Sequence, residues 1–380
     1  MKIAFLCSSL EPGCDGVGDY TRRLAAACTE LGHQCLILAL NDRYISASAR
    51  ELPGDNHTII RWSSDLPWWV RVAAVRDRIT RFEPDRISWQ MVSYGYDAKG
   101  ILGPELLQLA QEIDAPRRHV MLHEIWIGLA AGDSWWARFT GWRQRSALMT
   151  FLRNVAPDQV HTSNHTYVAA LARHGWTASV LPLFSNIPVT PASPVELETL
   201  LARYLPPATD GRGRIIGVTF GTLHRQWQPE PTAALLCATA ARQKREPVLI
   251  AIGRTGPHGP DILERLKRAG LTVATTGELP PEEVSGLLQG ADLGIAPHPR
   301  ALINKSGVVA AMLDHGLPIL MPRDDWRLRG GVTPEINLDP RLVRLDDLDQ
   351  SNTDAWLGSR QPVADSFPRT VARFLEVIST

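Results

Sequence analysis

The sequence predicts an α/β protein of two domains, each a parallel β-sheet covered on both faces by helices. Three observations carry that prediction. Short apolar runs alternate with helix-like runs along most of the chain. The alternation stops at a proline-rich stretch near the middle and then restarts. The length, 380 residues, is large for a single core and natural for two.

The first half opens with a continuous apolar strand, Ile3–Ser9. A helix-period run, Asp19–Leu31, stops at Gly32, and Cys35–Leu40 is the next strand. Further strands are predicted at Thr58–Trp62, Arg86–Val92, His119–Leu122, Gln159–Thr162 and Ser179–Leu183. Helices are expected at Trp68–Arg81, Pro104–Ile113, Trp135–Asn154 and Asn164–His174. Strands that are apolar throughout, rather than alternating, belong to a sheet buried on both faces. The prolines of Asn186–Pro194, a short helical segment and the breaker Pro206–Gly211 mark a linker. Beyond it, strands are predicted at Arg214–Phe220, Pro247–Ile252, Leu271–Thr275, Leu293–Pro297 and Leu317–Met321. Helices are predicted at Pro231–Arg245, Asp261–Ala269, Pro281–Gln289 and Gly307–His315, with a last amphipathic helix at Phe367–Ile378. The expected organisation is a first domain over 1–188, a linker over 189–213, a second domain over 214–365, and a final segment, 366–380, crossing back to the first domain.

Forty basic and forty acidic residues leave no formal net charge, which removes a global argument for nucleic acid as partner. The N-terminal apolar run is too short for a signal segment, and no apolar stretch is long enough to span a bilayer. Five cysteines, odd in number and without metal spacing, read as reduced thiols of a cytoplasmic protein. Nine of the twelve tryptophans precede the linker. Trp68-Trp69 and Trp135-Trp136 are the candidates for an acceptor or membrane-contact surface, here the inner face of a membrane.

Chemistry-bearing residues gather after strands, where open α/β sheets bind ligands. Gly13–Tyr20 follows the first strand. Its Gly16 and Gly18 bring backbone N–H groups and a helix N-terminus to an anion, although Thr21 stands where a dinucleotide fingerprint has its third glycine. The same turn also serves as a plain tight connection. His123 and Glu124 end another strand. Gly221, Thr222, His224 and Arg225 follow the first strand of the second half. His298, Arg300, Asn304 and Lys305 precede a helix capped by Ser306 and opened by Gly307, an arrangement of cations and free N–H groups suited to a diphosphate. Gly277, Glu278 and Leu279 are candidates for the nucleotide base and ribose, and also read as a polar turn. The acidic Leu345–Asp349 reads as a solvated turn rather than a metal site, so no metal or cofactor is expected.

These pieces together resemble the retaining GT-B glycosyltransferases of the family-4-like group. The resemblance rests on Gly16–Tyr20 with Leu31-Gly32-His33, on Leu122-His123-Glu124, on Leu181–Pro188, on Gly290-Ala291-Asp292 through Pro297, and on Gly316–Ile319. It implies two Rossmann-like domains facing a central cleft. It also implies transfer of a sugar from a nucleoside-diphosphate sugar to a carbohydrate, lipid-linked or small-molecule acceptor. His123 would lie beside the donor sugar, with the nucleotide held by the second domain and the acceptor by the first. Two departures stand out. The family's paired glutamates fall at about Ile303 and Ala311 in this chain, and its arginine–lysine pair is absent, Thr222 standing in the arginine's place. These departures keep open a non-catalytic scaffold or an epimerase or hydrolase on the same fold. A dinucleotide oxidoreductase is disfavoured by the incomplete fingerprint.

Overall fold

The computed structural model describes residues 1–46, 49–53, 57–206, 212–331, 333–334 and 337–379. The chain divides into two compact units, Met1–Pro182 with Arg327–Pro334 and Pro368–Thr380, and Leu183–Trp326 with Glu335–Phe367.

In the first unit the elements run β1 (Lys2–Cys7), α1 (Gly16–Glu30), β2 (Gln34–Asp42), β3 (Ala49–Pro53), β4 (His57–Ser63), α2 (Trp68–Phe82), β5 (Arg86–Met91), α3 (Pro104–Glu112), β6 (Arg117–Leu122), α4 (Trp135–Val155), β7 (Gln159–Thr162), α5 (His165–Ala172) and β8 (Ser179–Val180). They form one sheet in the order β3-β4-β2-β1-β5-β6-β7-β8. All its pairings are parallel except β3 with β4. The central strands β1 and β2 are buried along nearly their whole length, as their unbroken apolar runs require.

Local signals set the helix starts. Asp15 caps α1, Ser134 caps α4 and Asn164 caps α5, each by accepting backbone amides of the first turn. Gly18 sits where α1 crosses the loop after β1. A Cβ there would lie 2.5 Å from the Ser9 carbonyl oxygen, so only glycine fits. The close helix–strand approach that a dinucleotide fold obtains from a third glycine is obtained here from Gly18. Thr21 is buried and its hydroxyl donates back to the Val17 carbonyl at 2.7 Å.

In the second unit the elements run α6 (Pro194–Tyr204), β9 (Arg214–Phe220), α7 (Pro229–Arg242), β10 (Glu246–Ile252), α8 (Gly259–Arg268), β11 (Thr272–Gly277), α9 (Pro281–Gly290), β12 (Leu293–Ile295), α10 (Gly307–Asp314), β13 (Ile319–Met321), β14 (Leu342–Arg344) and α11 (Thr353–Leu357). The sheet is parallel throughout, in the order β11-β10-β9-β12-β13-β14. Alternate residues of β9 and β10 feed two apolar clusters, with Ile216, Val218, Val248 and Ile250 in one and Ile215, Leu249 and Ala251 in the other. Both faces are therefore covered.

Much of the segment expected as a linker is α6, closed at its start by a capping box between Ser193 and Glu196 and packed into the second unit through Leu200. Residues 207–211 of that segment lie outside the described residues. The last helix, α12 (Phe367–Ser379), packs onto the first sheet. Its Phe374 stacks on Phe5 at 5.8 Å between centroids.

Candidate functional site

Each sheet reverses its order once. In the second unit the chain leaves β9 toward β10 and β11 on one side and returns to place β12 on the other. Helices then lie on opposite faces, and the carboxyl edge between β9 and β12 is the natural ligand crevice.

The loops at that edge gather positive charge. Arg323, just past β13, is 6% exposed, and its guanidinium joins the loops around it. It donates to Gln226 Oε1 at 2.6 Å, to His224 Nδ1 at 3.3 Å and to the Pro297 carbonyl at 3.5 Å, and it pairs with Asp325 at 2.9 Å. His224 Nδ1 also accepts the Gln226 amide at 3.2 Å. This nitrogen therefore carries a lone pair, and the neutral ring holds its proton on Nε2. Burial and the charges of Arg323 and Arg225 keep the His224 pKa below the ordinary histidine value. His298 is pushed down to about 4, first by burial and then by the charges of Lys305, Arg323 and His224. Its Nε2 lies 3.4 Å from Ser306 Oγ, while its buried Nδ1 has no hydrogen-bond partner among the described residues. Two imidazoles lowered by burial and by neighbouring cations mark a place where positive charge outweighs negative.

Ser306 caps α10, accepting the Val309 amide, and a Cβ added at Gly307 would meet nothing within 4 Å. The helix start thus faces open space next to Lys305. Asn304 and Lys305 are half-buried at the end of the 3-10 turn Arg300–Lys305. Gly221 takes a left-handed φ of +81° and donates to the Ile252 carbonyl, and exposed Thr222 and Arg225 follow it. Arg225, Lys305 and Ser306 therefore share this edge, with Arg323 and His298 among them.

The Gly277–Leu279 turn lies farther along the sheet, at the end of β11. Gly277 is tied to Gly253 by a backbone hydrogen bond, Glu278 forms an exposed ion pair with Arg254, and Leu279 packs against the core. No hydrogen bond among the described residues links the turn to the cation cluster. Ile303 and Ala311 are fully buried in the apolar cluster, so neither position presents a side chain to the edge. Asp347 pairs with Arg344, and Asp349 accepts from Ser351, so the late acidic turn is engaged locally.

In the first unit the order reverses between β1 and β5. At this edge the contacts of His123 are with buried neutral groups. His123 follows β6 with 9% exposure, and its amide donates to the Met91 carbonyl at 3.0 Å. Its Nε2 meets Gln90 Oε1 at 2.9 Å, and the Tyr20 ring stands edge-on at 4.9 Å. Burial lowers the His123 pKa to about 3, so the ring is neutral at physiological pH. Glu124 beside it is half-exposed. The hydroxyls of Ser8, Ser9 and Tyr96 are buried here without hydrogen-bond partners among the described residues. Gly16 is exposed, but the Val17 and Gly18 amides both donate to the Asp15 carboxylate at 3.0 Å. The Gly18 N–H is thus committed to a carboxylate rather than open to a phosphate, a correction to the reading from the glycine pattern. Asp42, at the end of β2, accepts from Leu10, Tyr44 and Arg61. Burial opposes its charge, but these partners outweigh burial and hold its pKa below the usual value.

Sequence reasoning missed Arg323 and the partners of His123. Arg323 follows the apolar strand Ile319–Met321 by two positions, so the carboxyl-edge rule that found Arg225 and Lys305 also reaches it.

No protein-family profile and no curated protein matches the sequence. Solved structures do. WaaG, a glycosyltransferase involved in lipopolysaccharide biosynthesis, is similar at 12% identity with a TM-score of 0.58 over 99% of either chain. Anabaena HepE, in complex with UDP and glucose, is similar at 15% identity with a TM-score of 0.59 over 100% of this chain and 99% of that one. The catalytic domain of Arabidopsis thaliana starch synthase IV, bound to ADP and acarbose, is similar at 11% identity with a TM-score of 0.55 over 99% and 98%. At such identities these likenesses show the fold, which is that of the GT-B glycosyltransferases with their two Rossmann-like parallel-sheet domains.

Proposed function

We propose that this protein is a glycosyltransferase that moves a sugar from a nucleoside-diphosphate sugar to a carbohydrate or lipid-linked acceptor, with retention of anomeric configuration. The observation that carries this reading is the cation cluster at the β9/β12 edge, where Arg323 binds His224 and His298 stays neutral beside Lys305. Structures of this fold bound to UDP or ADP support the donor class. As the bond between the anomeric carbon and the phosphate oxygen breaks, negative charge grows on the leaving diphosphate. Arg225, Arg323, Lys305, the His224 Nε2–H and the open start of α10 would stabilise that charge. Cations and amides would take the place of a divalent ion, so the reaction needs neither metal nor cofactor. His123 would position the donor sugar. Ser8, Ser9 and Tyr96 would offer hydroxyls to the acceptor.

A lipid-linked acceptor at the cytoplasmic face of a membrane fits the surface of α4. Trp135, Trp136, Phe139 and Trp142 are all about half or more exposed, 49–62%. Arg138 and Arg143 flank that aromatic stripe, and α4 carries no carboxylate. Aromatic rings with arginines and without acidic residues suit a peripheral contact with an anionic bilayer. Trp68 serves differently, being half-buried over the Arg71 guanidinium at 3.9 Å.

The deciding experiment is calorimetry of UDP, GDP, ADP, CMP and dTDP with EDTA present, followed by product analysis with the sugar nucleotide of the base that binds. Binding plus transfer supports the proposal. Binding without turnover points to a non-catalytic member of the fold. No binding by any of the five removes the donor reading.

A further inference from the structure

His123 is the end of a row of buried polar side chains held along one face of the first sheet. Gln90 Nε2 donates to Ser88 Oγ at 2.8 Å, and Ser88 Oγ meets His119 Nδ1 at 2.9 Å. His119 Nε2 meets His161 Nδ1 at 3.2 Å. The register explains the row. Ser88 lies opposite His119, and Met121 opposite His161, so Ser88, Gln90, His119, His123 and His161 all project from the same face. All five are at most 9% exposed, and Phe374 of α12 and Tyr20 of α1 close over the row at His119 and His123. Parallel strands buried on both faces are ordinarily filled by Val, Ile and Leu. Five polar groups in their place cost desolvation that the fold itself does not require.

The orientation of Gln90 decides where His123 carries its proton. Gln90 presents its carbonyl oxygen to His123, so His123 Nε2 carries the proton. Gln90 gives an N–H to Ser88, whose Oγ holds Gln90 in this orientation. Ser88 Oγ in turn meets His119 Nδ1, and His119 Nε2 meets His161 Nδ1, so the two histidines back up Ser88. His123 Nδ1 is left a bare lone pair that makes no hydrogen bond among the described residues.

We infer that Gln90, Ser88, His119 and His161 are positioning residues that fix His123 as its Nε2–H tautomer, so that Nδ1 accepts a hydrogen bond from a hydroxyl of the donor sugar. The inference rests on the reading that His123 touches that sugar. It adds a selectivity: a bare lone pair favours a sugar that offers a hydroxyl proton there and repels one that places a carboxylate there. The row is a line of neutral rings rather than a path for protons. Burial drives His119 well below the ordinary value, with the neighbouring histidines adding to the shift, and burial with the Arg373 charge brings His161 to about 4.

The test is nitrogen NMR of the full chain with 15N-labelled histidine, the His123 signals being assigned by their loss in His123→Asn. In the free wild-type protein at neutral pH, Nε2 is expected to be protonated and Nδ1 unprotonated. Ser88→Ala, and independently Gln90→Leu, should give a mixture of tautomers at His123, and Ser88→Thr should restore the single form. With the donor identified by calorimetry, Ser88→Ala should lower kcat about tenfold, in line with the loss of other orienting partners, while KM stays within about twofold. A proton on Nδ1 of wild-type His123, or a tautomer unmoved by both Ser88→Ala and Gln90→Leu, overturns the inference. If the tautomers behave as expected but His123→Ala retains full turnover, the reading of His123 as a donor-sugar contact fails instead.

Discussion

The two carboxyl edges are built from the same elements, strand ends and helix starts beside a switch in strand order, yet they solve opposite electrostatic problems. The edge of the second unit concentrates charge. Burial and the charges of Arg225, Lys305 and Arg323 lower the imidazoles of His224 and His298, with Asp325 bonded to Arg323. The edge of the first unit instead surrounds His123 with neutral groups. The start of α1 is already capped by the Asp15 carboxylate, His123 is neutral by burial, and the buried hydroxyls are neutral donors and acceptors. A diphosphate needs the first kind of surface and a sugar needs the second. One fold unit, used twice, presents two different surfaces through the residues just past the strands.

The sharpest way to break this comparison is Arg323→Ala. It removes the guanidinium that joins three loops and leaves Asp325 without its partner, so affinity for the bound nucleoside diphosphate should fall about 100-fold or more, the range of a lost charge-assisted network. Calorimetry reads this directly, and an unchanged Kd would move the anion elsewhere. His123→Ala should act on the other edge only. Turnover is expected to drop roughly 10- to 100-fold with the nucleotide Kd unchanged, and a weakened nucleotide Kd would merge the two edges into one site. Lys305→Ala should weaken the diphosphate about tenfold, with a shallower dependence on salt than wild type.

The smallest effect is a proton. An anion placed among the cations should raise the pKa of His298 from about 4 toward the ordinary value. Binding should then take up a fraction of a proton near pH 5–6 and almost none at pH 8, measured as the dependence of the binding heat on buffer ionisation. The histidines of the first unit make a matching statement about stability. Because His119, His123 and His161 are held neutral, the unfolded chain binds protons first. Their contribution to stability is fully present above about pH 6.5 and declines as the pH falls toward 4, each adding up to about 1.4 kcal/mol per pH unit. Urea unfolding at pH 7.5 and pH 5 tests this.

The fold was legible because parallel sheets need strands that are apolar throughout. β1, β2, β9 and β10 announce themselves for that reason, and glycine stops such as Gly32 and Gly316 fix where helices end. β3 was not legible. Its five residues, Ala49–Pro53, contain no apolar run and owe their extended form to pairing with β4. α6 was read as part of a linker because the prolines around it dominate the local signal, whereas Leu200 and a capping box decide its structure. At the sites, charges next to strand ends were readable one loop at a time, but the sequence does not say that Arg323 reaches His224. The polar row had a signal that went unread. Ser88-x-Gln90 puts polar side chains two apart in a buried strand, and His119 and His123, four apart, fall on one face in and just past another.

α12 bears on how the molecule is made. Phe5, in the first strand, and His119 are covered by Phe374, and Arg86 donates to the Ile378 carbonyl near the far end of the same helix. During synthesis the first sheet is complete once β8 has emerged, but this face stays uncovered until about 190 more residues have been added, at the usual pace of roughly 5–20 residues per second. For that interval of some tens of seconds the nascent chain carries an exposed apolar strand face and an open histidine row. It is in that window, rather than in the finished protein, that a chaperone would meet it.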